Sequence, residues 1–254
     1  LAMENPPYNN ALLLNSSRIG DVISSMVVVN YLRDVIGEVD FLVNENYFPM
    51  LETEPGINPI NLEQALAKQY DLVVDLTSGK DSRRIVRKLK AREKLGFYRN
   101  WHQRLRLLGT YTAMRKKRVV RGGTEQDHIM KGFYPMLEFL GTSESLTPAL
   151  HPGRATDATD RLLNEACGEG HKVVAIHFGA TNPKRRPPDQ LLHDIIGHIK
   201  QRGWGVILLG DEMELAQRLM EKGNGYPKLF QGDLNDLKYL LSKVDLFIGP
   251  CSGP

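Results

Sequence analysis

A short apolar run, a polar glycine-containing loop and an amphipathic helix follow one another twice along this chain, and that repeated order restricts its fold more than any other feature. ALLLN (11–15) leads through SSRIGD into DVISSMVVVNYLRDVIG, whose apolar residues recur at helical spacing. VDFLVNE (39–45) reads as the next strand, with a helix around NYFPMLET after it, and YDLVVDLTS (70–78) as a further strand running into the helix DSRRIVRKLKA. Short buried strands alternating with helices are the pattern of a parallel α/β sheet. TEQDHIMKGFYPMLEFLG then reads as a helix closed by Gly141, and residues 142–156, rich in Ser, Thr, Pro and Gly, mark a boundary.

Beyond that boundary the alternation restarts: helix DATDRLLNEACG, strand KVVAIHFGA, helix PDQLLHDIIGHIKQRG, strand GVILLGD, helix EMELAQRLMEKG, the segment KLFQG, helix DLNDLKYLLSKV and strand DLFIG. The expected architecture is two facing Rossmann-like domains with parallel sheets, residues 1–145 and 156–254. The last strand ends on a loop at Pro254 with no helix to cover it, whereas a parallel strand normally needs one on its face. The expectation is a C-terminal domain that is incomplete here, in a natural chain that continues. Ligands of such sheets bind outside the carboxyl ends of the strands, which directs attention to the loops there.

Composition narrows the class. With 254 residues, 41% apolar, 25% charged and a net charge of +3, the chain fits a soluble globular protein. No apolar run approaches the ~18 residues of a membrane span, and LAMENPPYNN lacks the cationic start and apolar core of a signal peptide. The cytoplasm is therefore expected, with reduced thiols: Cys167 and Cys251 are too few for a disulfide framework and too far apart for zinc-ligand spacing.

Charge is polarised. Residues 80–121 hold 16 Lys or Arg against Asp81 and Glu93, whereas the rest of the chain carries 17 basic and 28 acidic residues. Such a block attracts phosphate-rich partners such as nucleic acid, anionic lipid or a phosphorylated glycan, unless it is a solvated helix face. Phe97, Tyr98, Trp101 and Tyr111 lie within it, either to stack on sugars or bases or to anchor a loop.

Several chemistries are excluded. No G-x-G-x-x-G follows any predicted strand, which removes dinucleotide use, and the absent G-x-x-x-x-G-K-[ST] removes P-loop nucleotide hydrolysis. There is no D-x-D pair to bridge a metal to a diphosphate. No cofactor and no metal are expected, so a bound diphosphate must be neutralised by cationic side chains and helix N-termini.

Three loops carry candidate chemistry. In SSRIGDV, Ser17, Gly20 and the free amides of the helix start form an anion cradle to which Arg18 adds a full charge. Spacing alone leaves Asp21 two roles, a residue complementing the helix dipole or a general base. In HFGATNPKRRPPD, Gly179 permits close backbone approach, Thr181 offers a hydroxyl, and Lys184, Arg185 and Arg186 precede a Pro-Pro helix start, a combination suited to a diphosphate. In GPCSGP, Ser252 and Gly253 offer a hydroxyl and an amide, with Cys251 a packed or ligand-lining thiol. The histidines at 102, 128, 151, 171, 193 and 198 show no metal-binding spacing.

SSRIGDV after the first strand, DFLVNE, YDLVVDL with a basic helix behind it, HFGATNPKRRPPD and a late DLFIGPCSGP together resemble the ADP-heptose:lipopolysaccharide heptosyltransferase family, glycosyltransferase family 9, in order and spacing over essentially the whole chain. The resemblance implies a GT-B fold, the acceptor held by the N-terminal domain and the nucleotide sugar by the C-terminal one. It places Asp21 on the family's Gly-Asp aspartate, the general base, and Lys184 on the lysine of its Lys-x-Trp-Pro segment, which contacts the donor diphosphate. Ser252 and Gly253 fall after its late aspartate. Arg186 stands where the family usually has Trp, and Cys251 replaces that aspartate.

The resemblance further implies an inverting, metal-independent transferase of bacterial lipopolysaccharide biosynthesis. It would move a heptose or related sugar from a nucleotide diphosphate to an anionic or lipid-linked envelope glycan. The donor would be held by Ser17, Arg18, Gly20, Gly179, Thr181, Lys184, Arg185, Ser252 and Gly253, and the acceptor by Arg83, Arg84 and Arg87. Location would be cytoplasmic, peripheral at the inner face of the inner membrane, with no nucleic acid as partner. Two rivals are a non-catalytic module that binds anionic glycan or nucleic acid through residues 80–121, and a Rossmann-type sugar-nucleotide epimerase.

Overall fold

The structure, a computed structural model, describes residues 8–77, 79–96, 110, 133–142, 148–167, 172–180, 183–210, 212–221 and 226–250. Its internal contacts divide the chain into two units, Leu1–Leu150 and His151–Pro254.

In the first unit, strands β1 (Ala11–Leu14), β2 (Val39–Leu42), β3 (Ile57–Ile60), β4 (Gln69–Asp75) and β5 (Lys90–Gly96) form one parallel sheet in the order β3-β2-β1-β4-β5. Leu12, Leu13 and Leu14 are all fully buried, as expected of a central parallel strand with both faces covered. One face receives helix α1 (Ile19–Ile36), where Val27, Val28 and Val29 are each 0% exposed. Three consecutive buried positions point in different directions around a helix. A second layer therefore covers α1, and part of it is the short helix α5 (Tyr134–Leu140), whose Leu140 carbonyl accepts from Tyr31 Oη at 3.1 Å.

The other face packs Leu12, Leu14 and Val73 against Ala65 of α3 (Leu62–Ala67) and Val86 of α4 (Lys80–Lys88), helices that follow the single-turn α2 (Phe48–Leu51). Asn61 opens α3 with a full capping box, its Oδ1 accepting from Gln64 N and its own N donating to Gln64 Oε1. Helix α5 (Tyr134–Leu140) ends at Gly141, whose φ of +107° closes the helix in the left-handed conformation that glycine adopts without penalty. The remainder of the helix expected over 124–141, residues 124–132, lies outside the described residues.

Two strands of this sheet were not expected. β3, INPI, carries Pro59, which lacks an amide and is tolerated because β3 is an edge. β5 takes over residues read as the end of a basic helix. α4 stops at Lys88, and Lys90 and Ala91 already pair with Gln69 and Tyr70 of β4.

The second unit repeats the plan with α6 (Asp157–Ala166), β6 (Val173–His177), α7 (Asp189–Gln201), β7 (Gly205–Leu209), α8 (Met213–Glu221), β8 (Lys228–Leu229), α9 (Leu234–Lys243) and β9 (Leu246–Ile248). Its parallel sheet has the order β8-β7-β6-β9. Val174, Ile176, Val206 and Leu208 pack on Leu192 and Ile196 of α7 and on Ala216 and Leu219 of α8, while Ala175 and Ile207 meet Ala166 of α6 and Leu240 of α9 on the opposite face. Helices α6 and α9 are tied by Thr156 Oγ1 to Asp236 at 2.8 Å and Tyr239 Oη to Asp160 at 2.8 Å. Among the described residues, no helix is long and apolar enough to cross a membrane.

Both sheets reverse direction beside their first strand, between β1 and β4 and between β6 and β9. At such a switch point the flanking loops diverge and leave a crevice at the carboxyl ends of the strands.

Candidate active site

The crevice of the first unit is bounded by the loop after β1 and the loop after β4. Arg18 is the N-cap of α1 and is exposed; its carbonyl accepts from Asp21 N at 3.0 Å and Val22 N at 3.1 Å, and the amides of Ile19 and Gly20 at the positive end of the helix have no carbonyl partner among the described residues. Ser17 is half-buried, its amide bound to Asn15 Oδ1 at 3.0 Å, and the Gly20 carbonyl accepts from Ser24 Oγ. Asp21 is half-buried in the first turn, and among the described residues its carboxylate makes no hydrogen bond or ion pair. A residue there for capping alone would turn back to the backbone of the N-cap, as Gln64 does in α3. An unengaged carboxylate is available to accept a proton.

Across the crevice, the chain leaves β4 through the buried Asp75 and Leu76 and the half-buried Thr77 and enters α4 at Gly79. Arg83 is half-buried and its Nε donates to Gly79 O at 2.9 Å, whereas Arg84 is exposed and pairs with Asp81 at 3.3 Å. Arg87 lies a turn further on, its Nε bound to the buried Thr110 hydroxyl at 3.1 Å. The three arginines thus share one helix without sharing one environment. Phe97, Tyr98, Trp101 and Tyr111 lie outside the described residues.

In the second unit, β6 ends at His177, whose Nδ1 lies 2.9 Å from Leu209 O on β7. Phe178, Gly179 and Ala180 are buried immediately beyond it. The ring of Phe178 lies against Gly210, where a Cβ would come within 2.8 Å of Cζ and where φ is +155°. Lys184 and Arg185 stand exposed on a 3-10 turn, Pro183–Arg185, just ahead of α7.

Arg186, the third expected cation, is differently employed. Its Nη2 meets Glu212 at 2.8 Å and its Nε donates to Ala180 O at 3.2 Å, so its charge is already matched. A second pair, Arg218 to Asp189 at 3.2 Å, joins α8 to the first turn of α7. Thr181, Cys251, Ser252 and Gly253 lie outside the described residues. Among the described residues no three His, Cys, Asp or Glu side chains converge as a metal site would require.

A family model described as glycosyltransferase family 9 (heptosyltransferase) matches residues 60–254, most of the chain. The chain belongs to glycosyltransferase family 9. It is therefore a glycosyltransferase, as its five motifs in register led one to expect.

Solved structures agree with the family in fold. The glycosyl transferase family 9 protein from Veillonella parvula superposes with a TM-score of 0.78 at 17% identity, covering 100% of this chain and 78% of its own. E. coli heptosyltransferase WaaC with ADP-2-deoxy-2-fluoro heptose gives 0.75 at 17% identity, covering 96% of this chain and 83% of its own. E. coli ADP-heptose lps heptosyltransferase II gives 0.73 at 14% identity, with 96% and 80% covered. At these identities the likeness establishes the α/β, parallel-sheet GT-B class of fold. A search of curated protein sequences finds no match.

The family's motifs pointed to the loops but not to what braces them. Asn15, Asp75 and Thr77 at the first crevice and Glu212 at the second were not singled out. Their signal was a polar residue ending an apolar strand, or an acid just past one.

Proposed function

We propose that the protein transfers a sugar, heptose or a close relative, from a nucleotide diphosphate donor to an anionic envelope glycan, with inversion and without a metal. The observation that carries this is Asp21, a half-buried carboxylate at the start of α1 that has no partner among the described residues, beside the β1/β4 crevice. Asp21 takes the proton of the acceptor hydroxyl while that oxygen bonds to the anomeric carbon from the face opposite the leaving group. The bond from that carbon to the diphosphate oxygen breaks, and its electron pair leaves with the diphosphate.

The developing charge is met in the second unit by Lys184 and Arg185 beside the start of α7 and by Gly179 just beyond β6, and Thr181, Ser252 and Gly253 are further donor-binding candidates by their place in the sequence. Fixed cations and backbone amides are already oriented before the reaction, which makes them effective transition-state stabilisers. The anion cradle of Ser17, Arg18 and Gly20 and the α4 cations Arg83, Arg84 and Arg87 bind phosphates of donor and acceptor. This assigns residues 1–145 to the acceptor and 156–254 to the donor. Place of action is the cytoplasmic face of the inner membrane, where the basic 80–121 region meets a lipid-linked acceptor.

Isothermal titration with ADP, UDP, GDP and CDP and their sugars, without and with Mg²⁺, tests the donor assignment. Micromolar, metal-independent binding of one nucleoside diphosphate that weakens at least tenfold in Lys184→Ala is the expected result. No nucleotide binding, together with tight salt-sensitive binding of anionic glycan, would replace transfer with a binding role.

A further inference from the structure

Asn15 closes β1 and is 1% exposed. Both ends of its amide are in use. Oδ1 accepts from Ser17 N at 3.0 Å and from Thr77 Oγ1 at 3.4 Å, while Nδ2 donates to Asp21 O and to Ser25 Oγ, each at 3.1 Å. Its backbone amide is held separately by Leu42 O on the neighbouring strand. Thr77 Oγ1 in turn accepts from Ser16 N at 3.1 Å, and Thr77 N donates to the buried Asp75 at 2.9 Å. Ser25, fully buried, donates its hydroxyl to Val22 O at 2.7 Å.

The result is a connected network crossing the β1/β4 switch point, with Asn15, Ser25 and Asp75 buried and Ser17, Asp21 and Thr77 half-buried around them. Two donors and one two-lone-pair acceptor on a planar group are what the site consumes. Asp has no donors, Leu has neither, and Gln is a methylene too long. Buried polar groups that are fully satisfied fix one arrangement, because every alternative leaves a desolvated group unpaired.

We propose that Asn15 is a positioning residue for the transfer reaction. Through the Asp21 carbonyl and the Ser17 amide it holds the turn that carries the Asp21 carboxylate. Through Thr77 it sets that turn against the loop from which α4 departs with Arg83 and Arg84. Base and acceptor-binding cations thereby keep a fixed separation, which matters because a misplacement of about 1 Å in a reacting group can cost on the order of a hundredfold in rate. Asn15 itself touches no reacting atom. The inference rests on Asp21 being the base.

The test is a double-mutant cycle on the full chain, with ADP-heptose as donor and a heptose-deficient lipopolysaccharide as acceptor, accompanied by amide hydrogen exchange over residues 16–22, which needs no substrate. Asn15→Asp keeps the shape and removes both donors. It is expected to lower kcat at least tenfold with the donor KM within twofold, to speed exchange at Val22 and its neighbours at least tenfold, and to cost less than a further twofold when placed on Asp21→Asn. Thr77→Val, which breaks only the link across the crevice, should lower kcat severalfold in a protein of nearly unchanged melting temperature, and it decides the matter should Asn15→Asp not fold. Full kcat or unchanged exchange in folded variants, or an equal loss on the Asp21→Asn background, overturns the positioning role. Turnover retained by Asp21→Asn alone would instead overturn the base assignment, and the positioning role with it.

Discussion

Arg186 and Glu212 meet at 2.8 Å, and the same guanidinium reaches back to the Ala180 carbonyl, so one side chain pins the loop after β6 both to itself and to the chain entering α8. Both partners are partly exposed, at 39% and 27%, which limits the ion pair to roughly 0.5–1 kcal/mol, with about 1 kcal/mol more from the carbonyl bond. Arg186→Met is therefore expected to lower the urea unfolding free energy by about 1–2 kcal/mol and to weaken nucleotide binding through the loosened Lys184 and Arg185. Equal unfolding midpoints for the two proteins would show that this brace is idle in solution.

Asp21→Asn should reduce turnover at least a hundredfold, in the range typical of losing a general base. Nucleotide affinity, measured by calorimetry, should stay within twofold, because asparagine keeps the size of the side chain and leaves Ser17, Arg18, Lys184 and Arg185 in place. A variant that keeps a tenth of the parent rate is incompatible with the base role.

Gly210→Ala places a methyl group 2.8 Å from the Phe178 ring at a φ of +155°. The ring is fully buried and side-chain-bearing residues rarely adopt this φ, so the expected cost is about 1–3 kcal/mol. Thermal unfolding of the pair of proteins reads it directly. Phe178→Leu in the same background should recover part of the loss by giving back ring volume.

Tyr226 is half-buried with its hydroxyl donating to Trp204 O at 2.9 Å, and burial pushes its phenol up to about 12. The folded state therefore holds this proton more firmly than the unfolded chain does. Its stabilising contribution is complete below about pH 10 and is lost as the pH climbs towards 12. Urea midpoints at pH 8, 10 and 11.5 should fall over that interval, and Tyr226→Phe should flatten the decline; an identical slope in both proteins would assign the alkaline loss to other groups.

What the chain reveals before folding depends on how each segment solves its burial problem. β1, β4, β6 and β7 are buried on both faces and read as continuous apolar runs, and α1, α7 and α9 announce themselves by spacing. Edge strands obey other rules. INPI needs no amide at Pro59, and KAREKLG protects an edge with charge, so the same residues that discourage unwanted pairing also disguise a strand as a helix tail. The loops that carry Asp21, Lys184 and Arg185 can be read as candidate sites because they have a recognisable order of residues. Asn15 was not, since an amide that completes an apolar strand acquires its meaning only when Thr77, sixty-two positions away, is brought to it.

The strand orders carry a consequence for biosynthesis. In each unit the first strand made ends up in the middle of its sheet, flanked on one side by a strand that emerges soon afterwards and on the other by one made much later: β1 by β2 and β4, β6 by β7 and β9. A nascent chain leaving the ribosome must therefore keep Leu12–Leu14 half-sheltered until Gln69–Asp75 appears, and Val173–His177 until Leu246–Ile248 appears. Non-local pairing of this kind is slow and leaves sticky strands waiting. The window in which the growing polypeptide is most exposed to misassociation, and most in need of a holding chaperone, thus comes with each β-strand that is first in sequence and central in space.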